Sequence, residues 1–189
     1  MRFIFKTFII ASIAISSITG TALLFNIKAS EDLKKKATEL QGYCLRNGYN
    51  TEYAILVDYS RNSLRKRLYV YDFKKQRIIM SSLAGHGSGG ESTIFHPEFS
   101  NVPGSNCSSL GHYKIGKERR MYTRPCNTFE LDGLDPTNSN VRKRSVLLHP
   151  SAGPLSHGCV TLPFHRYQKL SNLLNSQPRN IIMWVYNIT

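Results

Sequence analysis

The stretch YAILVDYSRNSLRKRLYVYDFKKQRIIMSSLA, residues 53–84, decides the fold. Three runs in it, Tyr53–Tyr59, Leu68–Phe73 and Arg77–Ala84, are rich in β-branched, aromatic and aliphatic residues. Such residues suit a pleated, buried surface and predict three strands. Ser60, Arg61, Asn62 and Ser63 separate the first two runs, and Lys74, Lys75 and Gln76 the second two. These short polar links suit hairpin turns.

On the N-terminal side, Leu33, Ala37, Leu40, Cys44 and Leu45 recur at helical spacing, so Glu31 to Asn47 is expected to be a helix that Gly48 stops. On the other side, Gly85 to about Gly104 is a long polar stretch rich in Gly and Pro. A loop of that length in a compact domain is usually functional. Strands are expected again at Leu110–Ile115, Thr128–Leu131 and Ser145–His149. A helix follows over Phe164–Asn175, where Tyr167, Leu170, Leu173 and Leu174 share a face, and then a last apolar strand over Ile181–Tyr186. The pattern reads as a mainly β, α+β domain with about two helices and no internal repeat.

The ends and the charge bound the function. The chain has 189 residues, with 25 Lys and Arg against 12 Asp and Glu, a net charge of +13. A 41% hydrophobic content excludes a disordered acidic tail and a multi-span membrane protein. Arg2 and Lys6 precede an uncharged apolar run from Phe8 to Phe25. That is the pattern of a signal peptide, or of an N-terminal membrane anchor if it is not cleaved. Residues 1–29 take only Arg2, Lys6 and Lys28 and no acid, so +13 falls to +10 on the remainder. Export to the periplasm or cell envelope argues against a nucleic-acid partner, and the charge suits an anionic envelope.

The chemistry concentrates in His149-Pro-Ser-Ala-Gly-Pro-Leu-Ser-His-Gly-Cys-Val-Thr-Leu-Pro163. An apolar strand delivers His149 to its end, and a short Gly/Pro loop leads to Ser156-His157-Gly158-Cys159. A cysteine thiolate is a nucleophile for acyl transfer, and a neighbouring imidazole can take its proton and return it to a leaving amine. Gly158 lets backbone approach a substrate. A cysteine or histidine alone reads as a disulfide half or a structural residue; the pair carries the catalytic reading. Zinc is the other use of His149, His157, Cys159 and His165, but no CxxC or HExxH spacing is present, and no metal is expected.

These residues resemble the signature of the YkuD-type L,D-transpeptidases. The murein L,D-transpeptidase catalytic domain branch is similar over more of the chain: Phe99-Ser-Asn-Val-Pro-Gly-Ser105, Ser108-Ser-Leu-Gly-His-Tyr113, Leu131-Asp-Gly-Leu-Asp135 and the segment from Asn138 to Arg144 all match it. The resemblance implies a YkuD-like catalytic fold with β-sandwich-like sheets and a few short helices. With the export segment over 1–29 and the helical lead-in over 30–50, the catalytic domain that it implies is expected over 51–189. It implies Cys159 as nucleophile and His149 as base, with the other ring nitrogen held by a carbonyl near Pro150 or Ser151. It implies oxyanion and substrate contacts from His157, Gly158 and Cys159, and Ser156 bracing the loop. It implies a peptidoglycan stem peptide as the partner and no cofactor. The spacer between His149 and Ser156, residues 150–155, is short for the family, and Gly153 and Pro154 suit so tight a connection.

Several residues stay open on this reading. His86, in Ala84-Gly-His-Gly-Ser88, reads equally as a pocket residue and as a polar loop residue whose glycines set the turn. Arg144 reads as facing the site or as binding a carbonyl. His96, His112 and His165 read as surface residues. Cys107 and Cys126 flank a strand and its return, so a disulfide between them is expected, with Cys44 left over. The function implied is 3–3 cross-linking with release of D-Ala. The same thioester, met by water or by an envelope protein's lysine, would give an L,D-carboxypeptidase or an anchoring enzyme. A non-catalytic wall-binding module is the reading from a different class.

Overall fold

A computed structural model describes residues 31–120 and 126–188. The export expectation for residues 1–29 lies outside the described residues. Among those described, no helix is long and apolar enough to cross a membrane.

Residues 31–47 are helical (α1), as the spacing predicts. The chain divides into two compact units after Thr38, and the second, Glu39–Thr189, holds every element that follows. Gly48 ends the helix with φ of 70°, and Tyr49 N–H returns to the Cys44 carbonyl at 3.0 Å. This is the glycine stop that the sequence anticipates, since a residue with a Cβ resists that φ.

The three runs of residues 53–84 form β1 (Tyr53–Asp58), β2 (Leu68–Asp72) and β3 (Arg77–Ser82), an antiparallel meander. β2 is buried along its whole length. Asp72 accepts the Lys75 N–H at 2.8 Å, which fixes the β2–β3 turn. There follow β4 (His86–Gly87), β5 (Gly111–Arg120), β6 (Asn127–Gly133), a 3-10 turn at Pro136–Asn138, β7 (Leu147–Pro150), β8 (Leu155–Ser156), β9 (Val160–Leu162), α2 (Phe164–Ser176) and β10 (Ile182–Tyr186). Eight strands form one sheet in the order β3-β2-β1-β10-β5-β6-β7-β9, and β4 pairs with β8 in a second, two-stranded sheet. One core joins both ends of the large sheet to α2, through Ile55, Val70, Met183, Ile115, Phe129, Leu148, Leu162 and Leu170. Among the described residues, the mainly β class with two α-helices is thereby observed.

Three expectations are corrected. The strand expected to end at Ile115 runs to Arg120, because its pairing with β6 continues through Glu118–Phe129, Arg119–Thr128 and Arg120–Asn127, and charged pairs lie along the ladder. Lys114 meets Asp132 at 3.1 Å, and Arg119 meets Glu130 at 3.4 Å. His112 is not a surface residue: its ring stacks between Tyr43 (4.2 Å) and Trp184 (4.8 Å), and its Nδ1 lies 2.9 Å from Asp135 Oδ2. The expected Cys107–Cys126 disulfide is absent. Cys107 is buried in the loop before β5, beside Gly158, whereas Cys126 lies at the far end of the β5–β6 hairpin, in a cleft with Glu118 and Tyr167.

Candidate active site

β7 carries His149 and β9 follows Cys159. The two strands run parallel, with Leu148 opposite Val160 and His149 opposite Thr161. The chain between them, residues 151–159, leaves the sheet and returns to it. In that excursion Leu155 and Ser156 form β8 and pair with His86 and Gly87 of β4. The loop is thus held at both ends, a supported loop of the kind that often carries function.

The Cys159 Sγ accepts the Leu147 N–H at 3.4 Å. His149 is buried, and its Nδ1 lies 2.9 Å from the Pro150 carbonyl. A carbonyl can only accept, so Nδ1 carries the proton and Nε2 is the basic nitrogen of the neutral ring. Ser156 Oγ donates to the Cys159 carbonyl at 2.7 Å and closes the Ser156–Cys159 turn on itself. Gly158 is buried, with φ of 103°. A Cβ there would stand 2.9 Å from the Cys107 carbonyl oxygen and 3.0 Å from an Arg144 guanidinium nitrogen. Only glycine fits this position. His157 is exposed beside it.

Arg144 binds carbonyls, one of its two sequence readings. Its guanidinium donates to the carbonyls of Ser100 (2.8 Å) and Cys107 (2.5 Å) and to Ser109 Oγ (2.7 Å). It therefore ties the loop of residues 100–109 against Gly158. Ser108 belongs to the same wall: its Oγ accepts the Gly87 N–H at 2.9 Å.

His86 stands in β4, between Gly85 and Gly87. It is fully buried, 0% exposed, with Nδ1 2.6 Å from Arg67 Nη2 and Nε2 3.0 Å from the Thr93 carbonyl. Burial first, and then the charge of Arg67, pull its pKa down to about 4. Tyr59 stands beside this pair, with Arg67 4.6 Å over its ring and its hydroxyl on the Gly85 carbonyl at 2.7 Å. Burial pushes that hydroxyl up to about 12; Arg67 and a hydrogen bond with Ser108 oppose the rise, and a negative Cys159 adds to it. Sequence reasoning missed Arg67 as a residue of this site. The available signal was its place, a charge immediately ahead of the apolar run Leu68-Tyr-Val-Tyr71.

The site thus combines a thiol held by a backbone N–H, a tautomer-fixed imidazole on the neighbouring strand, and a glycine turn between them. Among the described residues no group of three His, Cys, Asp or Glu side chains is placed to hold a metal ion.

A family model for the L,D-transpeptidase catalytic domain matches residues 27–184. No curated protein matches the chain. Solved structures similar to it include Bdellovibrio bacteriovorus Bd1075, at 18% identity and a TM-score of 0.48, over 74% of this chain and 49% of that one. The helical cell shape determining protein Pgp2 from Campylobacter jejuni is similar at 16% identity and a TM-score of 0.48, over 75% of this chain and 50% of that one. An L,D-transpeptidase from Mycobacterium smegmatis is similar at 10% identity and a TM-score of 0.44, over 71% and 58%. The chain therefore spans about half the length of the structures it resembles.

Proposed function

The chain belongs to the L,D-transpeptidase catalytic domain family, and from that premise we propose that it is an enzyme of cysteine-dependent acyl transfer on peptidoglycan stem peptides. The observation that carries this reading is the pairing of β7 with β9, which sets Cys159 Sγ on the Leu147 N–H and His149, tautomer fixed, in the same strand.

In the proposed reaction His149 Nε2 takes the thiol proton, and the Cys159 sulfur attacks the carbonyl at the L-centre of diaminopimelate in a tetrapeptide donor. The C–N bond to the terminal D-Ala breaks, and His149 returns the proton to the departing amine. A thioester remains on Cys159. The side-chain amine of a second stem then attacks it, His149 removes the amine's proton, and the thiol is regenerated with a 3–3 cross-link formed. The groups needed are this chain's own, and no cofactor enters. The Leu147 N–H favours the thiolate, since a donor to a charged acceptor makes a stronger bond than one to a neutral acceptor. Export by residues 1–29, with the net positive charge, would hold the enzyme near its anionic polymer in the periplasm or envelope.

The test is incubation of the full chain and its Cys159→Ala variant with disaccharide-tetrapeptide, with products resolved by mass. Cross-linked dimer from the wild type alone supports the transpeptidase. Tripeptide without dimer assigns the same thioester to water, an L,D-carboxypeptidase. An unchanged substrate with both proteins overturns the enzymatic reading in favour of a wall-binding module.

A further inference from the structure

Arg67 and His86 are both fully buried, and neither belongs to the proposed acyl-transfer pair. An arginine buried so completely is rare unless its charge is satisfied. Here the guanidinium fork grips main chain: Nε and Nη2 both donate to the Ala84 carbonyl, at 2.8 and 2.6 Å, and Nη1 donates to the Arg61 carbonyl at 2.9 Å. Nη2 also reaches Ser63 Oγ at 3.0 Å and His86 Nδ1 at 2.6 Å. Arginine only donates, so Nδ1 accepts. The His86 proton is therefore on Nε2, where it is donated to the Thr93 carbonyl.

The segment gripped in this way, residues 84–88, has a second side. There the Gly85 N–H donates to the Thr161 carbonyl at 2.8 Å, the His86 N–H to the Pro154 carbonyl at 3.2 Å, and the Ser88 N–H to the Ser156 carbonyl at 2.8 Å. Pro154 and Ser156 lead into the His157–Cys159 turn, and Thr161 leads out of it, opposite His149. Gly85 is pressed close: a Cβ on it would overlap Thr161 Oγ1.

We infer that Arg67 and His86 are positioning residues for the acyl-transfer site, a buried donor–acceptor pair that sets, through residues 84–88, where the Cys159 turn stands relative to His149. This rests on the proposed function for its reaction but not for its geometry. The pair acts as a template: the arginine fork fixes the carbonyl of Ala84, the histidine locks the next residues in register, and β4 passes that register to β8.

His86→Asn and His86→Ala test it in the full chain. Asparagine keeps an acceptor near the position of Nδ1, and alanine keeps none. With a tetrapeptide donor, His86→Ala should lower kcat by about 10- to 100-fold with KM little changed, the scale of a small misplacement of reacting groups. His86→Asn should restore most of that loss. A folded His86→Ala with wild-type kcat would overturn the inference, as would a His86→Asn no better than alanine. A second measurement needs no peptidoglycan: the pH profile of Cys159 alkylation in each protein. It should change in His86→Ala and return toward wild type in His86→Asn; one profile shared by all three overturns the inference. A wild type inert toward tetrapeptide would count against the proposed function alone, because alkylation still reads the positioning.

Discussion

The Leu147 N–H points at the Cys159 sulfur across 3.4 Å, so the strand that carries His149 also supplies a hydrogen-bond donor to the candidate nucleophile. Both groups belong to β7, and its parallel partner β9 begins one residue after Cys159. Strand pairing brings the two chemistries together. Side chains two apart on a strand share a face, so the Leu147 and His149 side chains project to the same side of the sheet.

Replacing Cys159 should therefore remove activity without unfolding the protein. Cys159→Ala removes one half-buried sulfur and leaves the β7–β9 pairing intact. The expected stability change is within about 1 kcal/mol, by urea unfolding. Dimer and tripeptide formation should both fall to background. Residual turnover near wild type would exclude Cys159 as nucleophile.

Gly158→Ala should fail for a steric reason. The φ of 103° is costly for any residue with a Cβ, and the new atom would press on the Cys107 carbonyl and the Arg144 guanidinium. Strained positions of this kind cost of order 1–3 kcal/mol. Thermal unfolding should report that loss, and the rate of Cys159 alkylation should change with it. A variant as stable as the wild type would mean that the turn relaxes freely.

Much of this arrangement is legible in the sequence, and the remainder is missing for physical reasons. β1, β2 and β3 announce themselves because their β-branched and aromatic runs are bounded by polar turns. The Ser156–Cys159 turn is legible because its chemistry depends on residue type. β4 is invisible, since two residues, His86 and Gly87, show no alternation and pair only with a second short strand inside another loop. The ring stacking of His112 is equally hidden: Tyr43 and Trp184 come from opposite ends of the domain and meet the ring only where β10 lies beside β5. Arg67 looks like surface charge because sequence does not reveal that carbonyls, rather than carboxylates, will surround it.

Arg144 tests whether the wall beside Gly158 is a built part of the site. Arg144→Ala takes its donor from the Cys107 carbonyl, while the Ser100 carbonyl keeps the Ser109 hydroxyl, which donates to it at 2.9 Å. An acceptor left unpaired in this way costs about 1–3 kcal/mol where water does not replace the donor. Arg144→Lys should rescue little, because one ammonium cannot span acceptors arranged for a planar fork. The expected result is a lowered melting temperature and a slower acylation for both variants. Full rescue by lysine would show that charge alone is required there.

Acid should expose the neutrality of His86. Its pKa falls from an ordinary value near 6.5 to about 4 in the folded chain, chiefly through burial and then through Arg67. Between those values the unfolded chain binds a proton that the folded chain refuses, so the unfolded state holds more protons and stability rises with pH. The contribution is fully present above about pH 6.5, is lost as pH falls toward 4, and shows no further slope below that. A shift of this size corresponds to roughly 3 kcal/mol. Urea unfolding of wild type and His86→Asn from pH 7.5 to pH 4 isolates it, because the carboxylates titrate alike in both. The stability of the wild type relative to the variant should shrink by about that amount across the window. A difference that stays constant with pH would mean that His86 carries its proton as readily in the fold as in water, and the Arg67 Nη2 contact at 2.6 Å would then face a cation rather than an acceptor.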